Sequence, residues 1–243
     1  MGKTPVSSIA SVARPSRRGM FRFLACGCLA GLTAAHPGRV SAEAAHTTLT
    51  SAQALETLRQ GNDDFVNDRA RAVPIDRSRR LAIAGGQTPF AVLVGCSDSR
   101  VSPELLFGRG LGELFIVRVA GNSVDRTALG SIEYGVAELG CPLVVVLGHE
   151  RCGAVQAAVK VVTEDATFPG AIGEMVAPIL PAVLRAQRQG GDLVMNSVKE
   201  NVRRVVRRLR ESDDVLSDPV QQGKVNVVGA YYSLSDGSVE FLT

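Results

Sequence analysis

No stretch of this 243-residue chain is long and apolar enough to span a membrane. The best candidate, 23–35, contains Gly and Thr and falls short of the roughly 20 apolar residues that a spanning helix needs. Acidic residues are missing altogether from 1–42, a segment that holds Lys3, Arg14, Arg17, Arg18, Arg22 and Arg39. The remainder has twenty-one bases against twenty-four acids, a net −3. The basic balance therefore belongs to the first segment and makes no case for nucleic-acid binding by the body. Cysteine is scarce and odd in number. Cys26 and Cys28 fall in the first segment, leaving Cys96, Cys141 and Cys152, which excludes a fully paired disulfide framework. Histidine is rarer, with His36 in the first segment and only His46 and His149 beyond it. No internal repeat is evident, and no linker divides 47–243. What remains is ordinary for a soluble globular protein, 45% hydrophobic and 21% charged, with length for one large α/β domain.

Two clusters dominate what is present. Cys96-Ser97-Asp98-Ser99-Arg100 follows the apolar run Phe90-Ala91-Val92-Leu93-Val94-Gly95, and His149-Glu150-Arg151-Cys152-Gly153 follows Leu143-Val144-Val145-Val146-Leu147-Gly148. Short branched runs of this kind suit parallel strands covered on both faces. Open α/β sheets bind ligands beyond the carboxyl ends of their strands. Two thiols and an imidazole delivered there form a zinc-type ligand set, with Asp98 as an optional fourth. Such a centre with an open position binds water and yields hydroxide near neutral pH. Asp98 either fills that position or stays beside it as an acceptor. Arg100, two residues on, is within reach of the Asp98 carboxylate, where pairing holds it ionised and competes with the metal for it. Cys141 is left over and reads as a small buried apolar residue.

The first segment reads as an export signal, 1–42. Ser16-Arg17-Arg18-Gly19-Met20-Phe21 resembles a twin-arginine signal, although Met20 stands where that pattern has Phe. Cleavage after Val40-Ser41-Ala42 or Ala42-Glu43-Ala44 then gives a periplasmic or secreted protein with no membrane insertion.

Along the body, a hydroxyl-capped helix is expected over 52–58, ended or interrupted by Gly61-Asn62, and another over 77–84. A helical turn at 103–107 precedes a strand at 114–119, and 127–139 carries Leu129, Ile132, Val136 and Leu139 at helical spacing. Beyond the third strand, 143–147, helices are expected from Gly153 and over 168–188, broken near Pro178 and Pro181. The most regular helix spans 195–210, with Val198, Val202, Val205 and Leu209 as its buried stripe and Arg203, Arg204, Arg207, Arg208 and Arg210 as its solvated face. Ser235-Asp236-Gly237 marks a terminal hairpin, adding an antiparallel edge. The fold class is α/β, a single domain (47–243) with a mostly parallel central sheet flanked by helices.

The two motifs, in order and about fifty residues apart, resemble those of the β-class carbonic anhydrases. The similarity runs from Gln87 to Val159 and includes Glu113-Leu114-Phe115-Ile116-Val117-Arg118 and Ser131-Ile132-Glu133-Tyr134. That resemblance implies reversible hydration of CO2 to bicarbonate and a proton. It implies Zn2+ on Cys96, His149 and Cys152, with Asp98 as fourth ligand in a closed form and paired with Arg100 in an open one. In the open form zinc-bound hydroxide attacks CO2 while Asp98, fixed by Arg100, accepts its hydrogen bond. Gln87 matches a residue that binds substrate in some members, often across a dimer interface, and the family implies a homodimer or higher homo-oligomer. Members regulated by bicarbonate carry Trp where this chain has Leu93, which argues against that regulation here. Two other readings are a CS2 or COS hydrolase on the same site and a non-catalytic zinc- or bicarbonate-binding protein. No proton shuttle is evident apart from His46.

Overall fold

The valine-rich runs form the centre of the sheet in a computed structural model of the chain, which describes residues 46–69, 72–212 and 214–242. The proposed export signal lies outside them. Five strands, β1 (Ala91–Gly95), β2 (Leu114–Arg118), β3 (Leu143–His149), β4 (Asn226–Tyr232) and β5 (Val239–Leu242), lie in the order β2-β1-β3-β4-β5. All neighbours are parallel except β4 and β5, the expected hairpin. Every residue of β1 and β3 is buried, because these strands are central and both faces of the sheet are covered.

Side chains alternate between two cores, as the twofold repeat of a strand requires. Val92, Val94 and Cys96 face one with Val144 and Val146; Ala91 and Leu93 face the other with Leu143, Val145 and Leu147. The helices are α1 (Ser51–Val66), α2 (Arg77–Ile83), α3 (Pro103–Leu106), α4 (Arg126–Ala137), α5 (Gly153–Glu164), α6 (Ala171–Val176), α7 (Leu180–Ala186), α8 (Leu193–Arg210) and α9 (Asp214–Gln221). The first core receives residues from α4, α5, α7, α8 and α9, and the second from α1 and α3.

Four points depart from expectation. Helix α1 does not end at Gly61-Asn62 but continues to Val66. A Cβ at Gly61 would stand 1.9 Å from the Phe107 carbonyl oxygen, so glycine here permits a close crossing. Asn62 is buried: its Nδ2 donates to the carbonyls of Gly237 (2.9 Å) and Leu106 (3.4 Å), and its Oδ1 accepts from the amide of Val239 (2.8 Å). The arginines of α8 are not merely solvated. Arg208 donates to the Val124 carbonyl, Arg210 to that of Val227 (Nη2, 2.7 Å), and Arg207 to buried Glu200 (3.1 Å). Helix α9 was unforeseen: it is short, contains Pro219, and buries Leu216 completely. Helix α8 begins two residues before the expected start because the Asp192 carboxylate accepts from the Met195 amide (2.7 Å), while its four expected apolar residues are all buried.

Candidate metal centre

Parallel register makes the site. Gly95 pairs with Leu147 across β1 and β3, so the chain leaves both strands on the same edge of the sheet. Cys96 emerges from β1, His149 closes β3, and Cys152 immediately precedes α5. Between His149 and Cys152 the chain turns sharply. Arg151 adopts φ +52°, a left-handed conformation that costs a non-glycine residue about 1 kcal/mol. The ligand atoms of Cys96, His149 and Cys152 lie within 4.8 Å of one another, and the two Sγ atoms are 4.0 Å apart. All three residues are buried.

The imidazole is set for metal binding. Its Nδ1 lies 2.9 Å from the Glu150 carbonyl oxygen, so it carries the proton and donates. That leaves Nε2 as the lone-pair nitrogen, buried and without a hydrogen-bond partner among the described residues. An orphaned buried acceptor is costly unless something binds it. Facing two thiols, it fits a cation. The thiols share one proton. Cys96 is pulled down, chiefly by the S–H of Cys152, with the Gly121 amide adding a further hydrogen bond (N to Sγ, 3.3 Å). Cys152 is pushed up by holding that proton for Cys96 and by burial. A divalent ion displaces such a proton and ionises both sulfurs.

Asp98 and Arg100 form a complete fork. Arg100 Nη2 donates to Oδ2 (2.7 Å), Nε to Oδ1 (2.9 Å), and the Arg100 amide also to Oδ1 (2.9 Å). The guanidinium holds Asp98 well below the usual carboxylate range. The Oδ2 atom stands 3.9 Å from His149 Nε2, beside the cluster and engaged with Arg100.

Other supports were not foreseen from sequence. Arg118, at the end of β2, donates to the carbonyls of Cys96 (2.8 Å) and Asp98 (2.7 Å). Glu150 Oε2 accepts from the amides of Leu234 (2.9 Å) and Ser235 (3.1 Å), tying the metal loop to the terminal hairpin. Both residues sit in stretches that carried the family resemblance, so a signal existed; what sequence did not show is their partners, since Glu150 reaches across 84 residues. Gln87 is not brought to the cluster within one chain. It is exposed and precedes β1, with the strand between it and Cys96. His46 rests on the Glu138 carbonyl (3.2 Å), ahead of β3 and about 20 Å of strand from His149, so it is no shuttle for its own site. Cys141 is fully buried, as expected, and its thiol donates to the Pro89 carbonyl (3.4 Å).

Comparison with known proteins agrees. Residues 91–239, more than half the chain, match the carbonic anhydrase family. Carbonic anhydrase 2 of Mycobacterium tuberculosis is 40% identical over 185 residues, which is 76% of this chain and 89% of that protein. The carbonic anhydrase of Mycolicibacterium smegmatis is 37% identical over 187 residues, 77% and 91% respectively. The solved structure of a Coccomyxa β-carbonic anhydrase in complex with acetazolamide has a TM-score of 0.61 at 27% identity, covering 77% of this chain and 84% of that one. One of the tetrameric β-carbonic anhydrases of Sordaria macrospora shares the fold, with a TM-score of 0.62 at 22% identity over 77% of this chain and 96% of that one. By its paired motifs, its sheet and its relatives, the chain belongs to the β-class carbonic anhydrases.

Proposed function

We propose that the chain catalyses reversible hydration of CO2 to bicarbonate and a proton, using Zn2+ held by Cys96, His149 and Cys152. The observation that carries this reading is the buried, unpartnered Nε2 of His149 facing two sulfurs. Zinc there would supply Lewis acidity, making water acidic enough to give up a proton near neutral pH, an effect for which carbonic anhydrases are the standing example. The chain's own residues do the rest. Asp98, kept ionised by Arg100, accepts a hydrogen bond from the attacking water and orients its lone pair toward CO2. Arg118 fixes the backbone on either side of that carboxylate. The Glu150 carbonyl holds His149 in the tautomer that presents Nε2.

The test is metal content and stopped-flow CO2 hydration of the zinc-loaded protein from pH 6.5 to 9. One zinc per chain with fast turnover is expected. Stoichiometric zinc without hydration at any pH would overturn the reading in favour of CS2 or COS hydrolysis or simple binding.

We further infer that the protein works as a homodimer or higher oligomer after export to the periplasm or medium. Helix α2 buries no residue, and Leu81 on it and Ile75 just before it are more than half exposed, which supports coverage by a second copy. Gln87 lies four residues beyond that helix and would serve a neighbouring site. Light scattering gives the assembly, and N-terminal sequencing of the exported protein gives the cleavage point.

A further inference from the structure

The Gly121 amide that donates to the Cys96 sulfur sits in an unusual backbone. Gly121 and Asn122 are consecutive left-handed residues, at φ +68° and +45°. The second is asparagine, the kind of side-chain-bearing residue that enters this region most readily, and the surroundings fix the first. On one side, a Cβ at Gly121 would come within 2.7 Å of Ile179 Cδ1 and 3.1 Å of Ala154 Cβ, so the neighbours admit only glycine. On the other, Asn201 reaches in from α8. Its Nδ2 donates to the Gly121 carbonyl at 2.9 Å, and the residue is 2% exposed. Val198 and Val202, on the same helix, pack over Gly148, the residue before His149. Helix α8 thus braces both halves of the metal centre.

We infer that Asn201 is a positioning residue for the metal centre: by holding the Gly121 carbonyl it fixes the backbone torsions at Gly121, whose N–H, on the preceding peptide, then points at Cys96 Sγ, and so it sets how strongly that sulfur donates to a bound metal. This rests on the zinc site proposed above. An N–H···S bond withdraws electron density from a thiolate, and partners at this remove from a metal tune its acidity. Without the Asn201 hydrogen bond the torsions at Gly121 lose their restraint, the N–H···S bond on the preceding peptide weakens, and the sulfur becomes a stronger donor. A stronger donor leaves the metal a weaker Lewis acid, so the active form appears at higher pH.

Cobalt(II) reports the sulfur directly through its thiolate-to-metal charge-transfer absorption. Asn201→Leu keeps the volume and removes the donor. The expected result is a charge-transfer band at longer wavelength in the cobalt protein, a raised pH midpoint for CO2 hydration in the zinc protein, and turnover at neutral pH lower by about 10- to 100-fold. Asn201→Ser, whose hydroxyl stops short of the Gly121 carbonyl, gives the same readings if the leucine variant does not fold. Ser197→Ala, one helical turn earlier at a buried hydroxyl with no hydrogen-bond partner among the described residues, leaves band and midpoint unchanged. A folded Asn201 variant with lower melting temperature but the parent's band and midpoint overturns the inference, since Asn201 would then only support packing. Failure of the parent itself to take up cobalt sinks the zinc reading instead, and this inference with it.

Discussion

Asp98 is the residue whose geometry says most about chemistry. It touches Arg100 through three hydrogen bonds and stands 3.9 Å from His149 Nε2 without being needed to hold the cluster together. Asp98→Ala should therefore keep one zinc per chain and lose turnover by about 100-fold, the scale of a lost acid–base group; metal analysis beside stopped-flow assay checks both halves. Cys141 is the opposite kind of cysteine. Burial pushes its thiol up to about 12 from an ordinary 9.0. Between those values the folded chain holds a proton that the unfolded chain has released. Stability from this thiol is thus complete below about pH 9 and declines as pH rises toward 12, by at most about 1.4 kcal/mol per pH unit. Urea midpoints from pH 8 to 10 should fall more steeply for the parent than for Cys141→Ala. The cluster of Cys96, His149 and Cys152 and the Asp98–Arg100 pair were legible in sequence because each motif lies within a few residues of a strand end. Asn201 was not, because nothing local marks a carboxamide that acts 80 residues away.

Among the elements, α1 shows how local signals lose to tertiary ones. Gly and Asn together are a helix-stop pattern, and here both sit inside the helix. Gly61 is there for close approach to Phe107, not for termination, so reading it as a stop was wrong. Asn62 joins α1 to the Leu106 carbonyl and to the β4–β5 turn through hydrogen bonds of 2.8 to 3.4 Å. Asn62→Ala leaves the Val239 amide and the Gly237 carbonyl without that partner, so a loss of about 2–3 kcal/mol is expected. Urea unfolding measures it, and a loss under 0.5 kcal/mol would show that water replaces the side chain. The strands were the most legible elements, since short runs of valine and leucine bounded by glycine or proline have few other uses. Their order was not: nothing in the runs themselves says that β3 lies between β1 and β4.

At the scale of the whole molecule, a metal held by Cys96, His149 and Cys152 would be a cross-link. It would join the end of β1 to the end of β3 and the start of α5, and through Glu150 it would reach the terminal hairpin. Metal that binds the folded chain alone stabilises it by mass action, about 4 kcal/mol at a thousandfold excess over Kd. Removing zinc with a chelator should lower the melting temperature, and restoring it should reverse the drop; an unchanged melting temperature would mean that the cluster forms no link. The single α/β domain was readable from alternating strand and helix patterns, whereas the second layer of support, made by Arg118, Glu150 and Asn201, depends on distances in space that sequence does not carry.

The clamp that Arg118 forms has a dynamic consequence. Its guanidinium grips the carbonyl oxygens of Cys96 and Asp98, so the backbone between them has little freedom to travel. Any passage of the Asp98 carboxylate from Arg100 to a metal is then a swing of two torsions about a stationary pivot. Such a swing breaks the three hydrogen bonds to Arg100 but moves no loop. A site built this way changes state without changing shape, and crystals of the two states would superpose everywhere except at one side chain.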